Sequence, residues 1–104
     1  MYVIIWEYQV KVDHVADFET IYAPNGAWAE LFREGNGFIN TELLCDEIYP
    51  QRYITIDRWV SSRAYEGFLA QWHKEHEALD AYCKGLTEWE NLLATGESLT
   101  HQTR

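Results

Sequence analysis

Tyr2-Val3-Ile4-Ile5-Trp6-Glu7-Tyr8-Gln9-Val10-Lys11-Val12 decides the fold. Tyr2, Ile4, Trp6, Tyr8, Val10 and Val12 fall on one side of an extended chain, and Val3, Ile5, Glu7, Gln9 and Lys11 on the other. A period of two carried by β-branched and aromatic residues predicts a strand. Its first side is wholly apolar and needs cover. Its second side begins apolar and turns polar toward Lys11.

Working outward, Asp13 is expected to cap a helix whose apolar residues are Val15, Phe18 and Tyr22. Pro24-Asn25-Gly26 interrupts the pattern, because proline disfavours an unbroken helix. Ala27, Trp28, Leu31 and Phe32 resume it, and Gly35 is expected to end it. Asn36-Gly37 marks a turn before a second strand, Phe38 to Asp46. A third strand, Arg52 to Val60, follows the loop 47–51. It sets Tyr53, Thr55, Asp57 and Trp59 against Arg52, Ile54, Ile56, Arg58 and Val60, so both of its faces meet something. Ser61 or Ser62 caps a long helix with Tyr65, Phe68, Trp72, Leu79 and Cys83 along one side, ending at Gly85. Thr87-Glu88-Trp89-Glu90 has the form of a capping box and predicts a short helix through Leu92 and Leu93. After Gly96, Glu97 to His101 is expected as a last edge strand.

The order β-α-β-β-α-(short α)-β describes a single α+β domain over residues 1–104. It predicts a ferredoxin-like βαββαβ arrangement with a four-stranded antiparallel sheet and helices on one face. The other face, carrying Val3 and Ile5, must be wet or covered. Covering by a second copy of the chain is favoured, which predicts a homodimer through the sheet face.

Five Trp, seven Tyr and four Phe are more than one small core needs, and each large ring buries ~150–250 Å². Some are therefore expected in a pocket or an interface. A formal net charge of −9 repels phosphate and anionic lipid, which argues against a nucleic-acid or membrane-surface partner. No apolar run approaches the ~20 residues of a membrane span, and the first residues lack a secretory signal. The expectation is a cytoplasmic protein with Cys45 and Cys83 as reduced thiols.

Tyr53-Ile-Thr-Ile-Asp-Arg-Trp59-Val-Ser61-Ser-Arg-Ala64-Tyr65-Glu-Gly-Phe68 carries a strand ending in Trp-x-Ser-x-x-Ala-aromatic. That junction resembles the antibiotic biosynthesis monooxygenase superfamily of dimeric α/β barrels. Gly37-Phe38 and Thr41-Glu42-Leu43-Leu44 also resemble that family's second strand. The resemblance implies protomers packed sheet to sheet, with a pocket in each between sheet and helices. It further implies oxygenation of phenols and quinols without a cofactor, or heme degradation as in one branch. The heme-degrading members carry an Asn on the first strand, a Trp on the second main helix and a His further along. Here the first slot falls near Trp6 and the second on Phe68, with only His76 near the third.

Candidate site residues follow from residue type and face. His76 lies toward the apolar side of its helix, where an imidazole that titrates near neutrality can move a proton. His73 and His76 are three apart rather than four, so the pair is not the His-Glu-x-x-His zinc helix, and no metal is expected. Trp6, Tyr8, Trp28, Phe32, Phe68 and Trp72 could box a planar ring. Asn40 or Arg58 could hold an anion, although an ion pair to a carboxylate suits Arg58 better. Tyr22 and Tyr53 could donate to a substrate or to backbone. Neither cysteine has a neighbouring base in sequence to mark a nucleophile. Together these predict a cofactor-independent monooxygenase for a small aromatic or quinol-type substrate. The predicted catalytic residue is His76, and Trp6, Tyr8, Tyr22, Trp28, Phe68, Trp72 and Asn40 are the predicted substrate contacts. A non-catalytic dimeric domain that binds a small ligand or a partner is the alternative, and heme binding a weaker one.

Overall fold

A computed structural model describes residues 1–99 of the chain. Four strands, β1 (Tyr2–Val10), β2 (Phe38–Cys45), β3 (Arg52–Trp59) and β4 (Thr87–Glu97), form one antiparallel sheet in the order β2-β3-β1-β4. The helices are α1 (Val15–Tyr22), α2 (Ala27–Phe32), α3 (Ser62–Gln71) and α4 (His73–Cys83), with 3-10 turns at Val12–His14 and Lys84–Leu86. This is the ferredoxin-like α+β fold expected from the alternation of β1, whose residues Ile4, Tyr8 and Val10 are buried beneath the helices. Among the described residues no helix is long and apolar enough to cross a membrane.

The core comes in two parts. Tyr8, Val10, Phe18, Tyr22, Tyr53, Cys83 and Leu86 form one buried cluster. Ile4, Phe32, Trp59 and Phe68 form the other. Trp59 is completely buried, with ring centroids of Phe32, Phe38, Tyr65 and Phe68 at 5.6, 5.3, 5.3 and 5.3 Å. Trp6 and Trp28 pack against both clusters and mark the seam between them.

The junction after β3 forms as expected. The Ser61 side chain accepts from the Ala64 amide at 3.1 Å and caps α3. Gly37 ahead of β2 has φ 98°, and a Cβ there would meet Val60 Cγ2 at 2.6 Å and Ala64 Cβ at 2.8 Å. Only glycine satisfies both the left-handed backbone and that close approach.

Four local expectations are corrected. Asp13 does not cap α1; it lies in the 3-10 turn Val12–His14, and α1 starts at Val15 without a side-chain cap. Gly35 does not end a helix directly, since α2 stops at Phe32 and the Gly35 amide closes a turn onto the Phe32 carbonyl at 3.0 Å. The helix drawn to Gly85 is two helices. Trp72 leaves the helical basin (φ −113°, ψ 26°), and the break lets Phe68 and Trp72 pack on one cluster while Leu79 and Cys83 pack on the other.

The largest correction is at Thr87. The short helix expected through Leu93 does not form, and Thr87–Glu97 is the edge strand β4, paired along β1 from Val10↔Thr87 to Tyr2↔Glu97. A capping box stabilises a helix start by only about 1 kcal/mol. The unpaired edge of β1 offers a whole ladder of backbone hydrogen bonds, each costly to leave unmade. Tertiary pairing therefore overrides the local signal. The last strand ends at Glu97, and the expected continuation at residues 100–101 lies outside the described residues.

Candidate active site between the sheet and the helices

The seam between the two clusters is not closed. A cavity of about 180 Å³ opens there, lined by Trp6 and Tyr8 from β1, Thr41 from β2, and Thr55 and Asp57 from β3. Glu90 of β4 joins this sheet wall. The helices contribute Tyr22, Trp28, Phe32, Tyr65, His76 and Asp80. The alternation of β1 and β3 explains the sheet wall, because every second residue of a strand points toward the helices. Tyr8, Thr55, Asp57 and Glu90 occupy such positions.

The sheet wall is polar at its centre. Tyr8 Oη and Thr55 Oγ1 are 3.0 Å apart and share a hydrogen bond. Thr41 Oγ1 donates a hydrogen bond to Asp57 Oδ1, across a register in which Thr41 and Asp57 are direct partners. Asp57 is 8% exposed, and burial pushes its carboxyl from an ordinary 3.8 up to about 6, while the bond from Thr41 opposes that shift. Burial likewise pushes the Tyr8 and Tyr22 phenols far above their usual 10 and Tyr65 to about 12. These phenols stay protonated and act as hydrogen-bond donors and acceptors, not as bases.

The helix wall supplies the imidazole. His76 is half-buried, with its ring edge-on to Trp28 at 5.2 Å and to Phe68 at 6.2 Å. Burial pulls its pKa below 6.5, and the charges of Asp80 and Glu77 pull weakly the other way. At neutral pH the ring is therefore uncharged and able to accept a proton. Trp28, Trp59 and Trp72 each bury an indole Nε1–H without a partner among the described residues, and of the three only Trp28 lines the cavity.

The structure brings Trp6, Tyr8, Tyr22, Trp28 and His76 to one cavity. Phe68 and Trp72 do not line it. Phe68 is a core residue 2% exposed, and Trp72 packs against the same cluster at the helix break. Asn40 is on the wrong side of the sheet for a substrate contact. It is exposed, and its Oδ1 accepts from Arg58 Nη1 at 3.2 Å on the face turned away from the helices. Arg58 also pairs with Glu42 at 2.6 Å, the cross-strand ion pair that suited it. Tyr53 donates to Glu19 and is committed to that bond. His73 is exposed. Cys45 is an exposed thiol outside the cavity lining, and Cys83 is a buried one whose pKa burial raises, which disfavours its thiolate.

Thr41, Thr55, Asp57, Tyr65, Asp80 and Glu90 were not anticipated as site residues. One signal was available. Asp57 shares a strand face with Tyr53 and Trp59, and an acid on an otherwise buried face is itself informative.

Residues 1–84 match the family model described as antibiotic biosynthesis monooxygenase. No protein with a curated description matches the sequence. Among solved structures, SnoaB, a cofactor-independent oxygenase from Streptomyces nogalater, superposes with a TM-score of 0.69 at 22% identity, over 96% of this chain and 97% of that one. PA3566 from Pseudomonas aeruginosa gives 0.67 at 15% identity, over 95% and 94%. NE2512, a protein of unknown function from Nitrosomonas europaea, gives 0.67 at 16% identity, over 99% and 93%. At these identities the structures share the fold.

Proposed function

The chain belongs to the antibiotic biosynthesis monooxygenase family, and on that premise we propose that it is a cofactor-independent monooxygenase acting on a small hydroxylated aromatic. The observation that carries the proposal is the aromatic cavity with one imidazole held neutral by burial on its helix wall. Its size limits the substrate. About 180 Å³ is slightly more than the ~150 Å³ cavity that accepts benzene and less than the ~300–1,000 Å³ of drug-sized pockets. One or two fused rings suit it. A porphyrin, with four pyrroles around a metal, does not, so the residues present do not fit heme.

In the reaction proposed, His76 takes the proton of a ring hydroxyl and leaves an electron-rich phenolate. The phenolate reduces molecular oxygen, a C–O bond forms at a free ring position, and loss of water leaves a ring carbonyl. One oxygen atom stays in the quinone and the other leaves as water, with all four electrons drawn from the substrate. Trp6, Trp28 and Phe32 exclude water and hold the ring plane. An interior packed solid would have favoured a non-catalytic interaction domain, and the cavity removes that ground.

The experiment is oxygen uptake with a panel of quinols and one- or two-ring hydroxyarenes, with quinone formation followed by absorbance. One O₂ consumed per quinone is expected, with a rate that rises through an inflection below pH 6.5 as His76 loses its proton. No uptake above the His76→Ala protein would overturn it.

The second copy belongs to the same proposal. The outer face of the sheet presents Val3, Ile5, Ile56 and an exposed Leu44, an apolar surface that a partner sheet would bury. Light scattering is expected to give twice 12.3 kDa, and the mass of a single chain at micromolar concentration would refute the dimer.

A further inference from the structure

Asp57 is the only buried acidic side chain among the described residues, and nothing cationic reaches it. Arg52 and Arg58 lie on its own strand but point to the other face, where Glu7 and Asp46 hold the first and Glu42 the second. Lys84 pairs with Asp80 at 3.3 Å and Glu90 at 3.7 Å, and so serves the other two cavity carboxylates. Among the described residues no Lys or Arg lines the cavity. The titratable groups that line the same cavity from the surrounding elements are Tyr8, Tyr22, Tyr65, His76, Asp80 and Glu90.

Its two oxygens differ. Oδ1 is held by the Thr41 hydroxyl. Oδ2 has no protein partner among the described residues. It still reaches the cavity that Asp57 lines, because among the described residues the only side-chain atoms both sealed and unpartnered are three indole nitrogens. A buried acceptor left open costs stability unless something satisfies it. The Thr41 bond fixes the carboxyl so that its open oxygen stays at the cavity surface.

We propose that Asp57 is the specificity-determining anchor of the cavity, its Oδ2 accepting a hydrogen bond from a hydroxyl of the bound ring. The site then selects neutral rings bearing a free hydroxyl over their methyl ethers, which cannot donate. It also rejects carboxylated rings, which would bring a fourth negative charge beside Asp57, Asp80 and Glu90. This inference rests on the assignment of the cavity as the substrate site and adds which substrates it admits.

The test is anaerobic calorimetric titration near neutral pH with 1-naphthol, 1-methoxynaphthalene, 1-naphthoate and 1-naphthylmethylammonium. Without oxygen there is no turnover, so the result does not depend on the oxygenase assignment. Naphthol is expected to bind about tenfold or more tightly than its methyl ether or the carboxylate, the range of a hydrogen bond to a charged group. In Asp57→Asn the amide oxygen can still accept from Thr41 while the NH₂ places a donor at the cavity. The hydroxyl preference should then shrink to about threefold or less. Equal binding of naphthol and its ether by the unaltered protein overturns the proposal, whether or not the variant folds. So does a preference that survives in Asp57→Asn. Tightest binding of the ammonium compound would also overturn it, by marking a cation receptor. Selective naphthol binding without oxygen uptake would sink the oxygenase assignment and leave the anchor standing. Oxygen uptake with no hydroxyl preference would do the reverse.

Discussion

Strand β3 carries acid and base on opposite faces, and the two faces treat charge in opposite ways. Outward, Arg52 donates to Glu7 at 2.8 Å and to Asp46 at 2.7 Å, while Asn91 donates to Glu7 and the amides of Ile48 and Tyr49 donate to Asp46. These bonds hold the Glu7 and Asp46 carboxyls below their ordinary range. Inward, Asp57 has one hydroxyl donor and no cation among the described residues, and burial raises its pKa. The cations of the strand are thus spent on the outer face, where they stabilise the ionised state of their partners. The buried acid is left to a ligand. A protein that needed Asp57 only for structure could have answered it with an arginine or replaced it with an apolar residue at no loss.

The harshest way to break the inner face is Trp59→Ala, at the end of the same strand. Trp59 is wholly buried among four rings, so its truncation should cost about 3–5 kcal/mol in denaturant unfolding. A loss under ~1 kcal/mol would mean that the second cluster is not a packed core.

Asp57→Asn sharpens the contrast through pH. Unfolded, the carboxyl ionises near 3.8; folded, it does so near about 6. Below both values the group makes no difference to stability. Between them the unfolded chain ionises first, so stability falls, and above the folded value the loss holds at about 3 kcal/mol. Urea unfolding from about pH 4 to pH 7 should show that decline in the unaltered protein and a flatter curve in the variant. Parallel curves would show that Asp57 is not desolvated.

Arg52→Gln probes the outer face and has the smallest expected effect. Glu7 and Asp46 have depressed pKa values, so they contribute stability above their unfolded values and lose it as pH falls through the folded ones. Without the guanidinium their pKa values rise, so the variant loses a modest part of that stability near neutrality, begins acid unfolding at higher pH, and differs less from the unaltered protein as pH falls further. Added salt should weaken the unaltered protein's advantage. An acid midpoint that does not move would leave Arg52 without the role assigned to it.

Much of this arrangement was legible in residues alone. Alternation along β1 and β3 told which side chains face the helices, because a strand has only two faces. Pro24 announced the break between α1 and α2 because its ring forbids the helix interior. Trp6, Tyr8, Tyr22, Trp28 and His76 were within reach of the same logic. Phe68 and Trp72 were misplaced because periodicity tells that a side chain is buried but not whether it meets core or cavity. Asn40 was misplaced because β2 is irregular between Phe38 and Asn40, which shifts the register and with it the face.

The sequence by itself determined the sidedness of the sheet, the order of its elements up to α3 and the stock of aromatic rings, since these depend on neighbours a few residues apart. Only the tertiary structure decided that Thr87–Glu97 is a strand, because the free edge of β1, remote in sequence, outweighs a local cap. Only it decided that the chain breaks at Trp72 to feed two clusters, and that the seam between them stays open with Asp57 on one wall and His76 on the other. A cavity is a property of packing at long range, and no window of residues contains it.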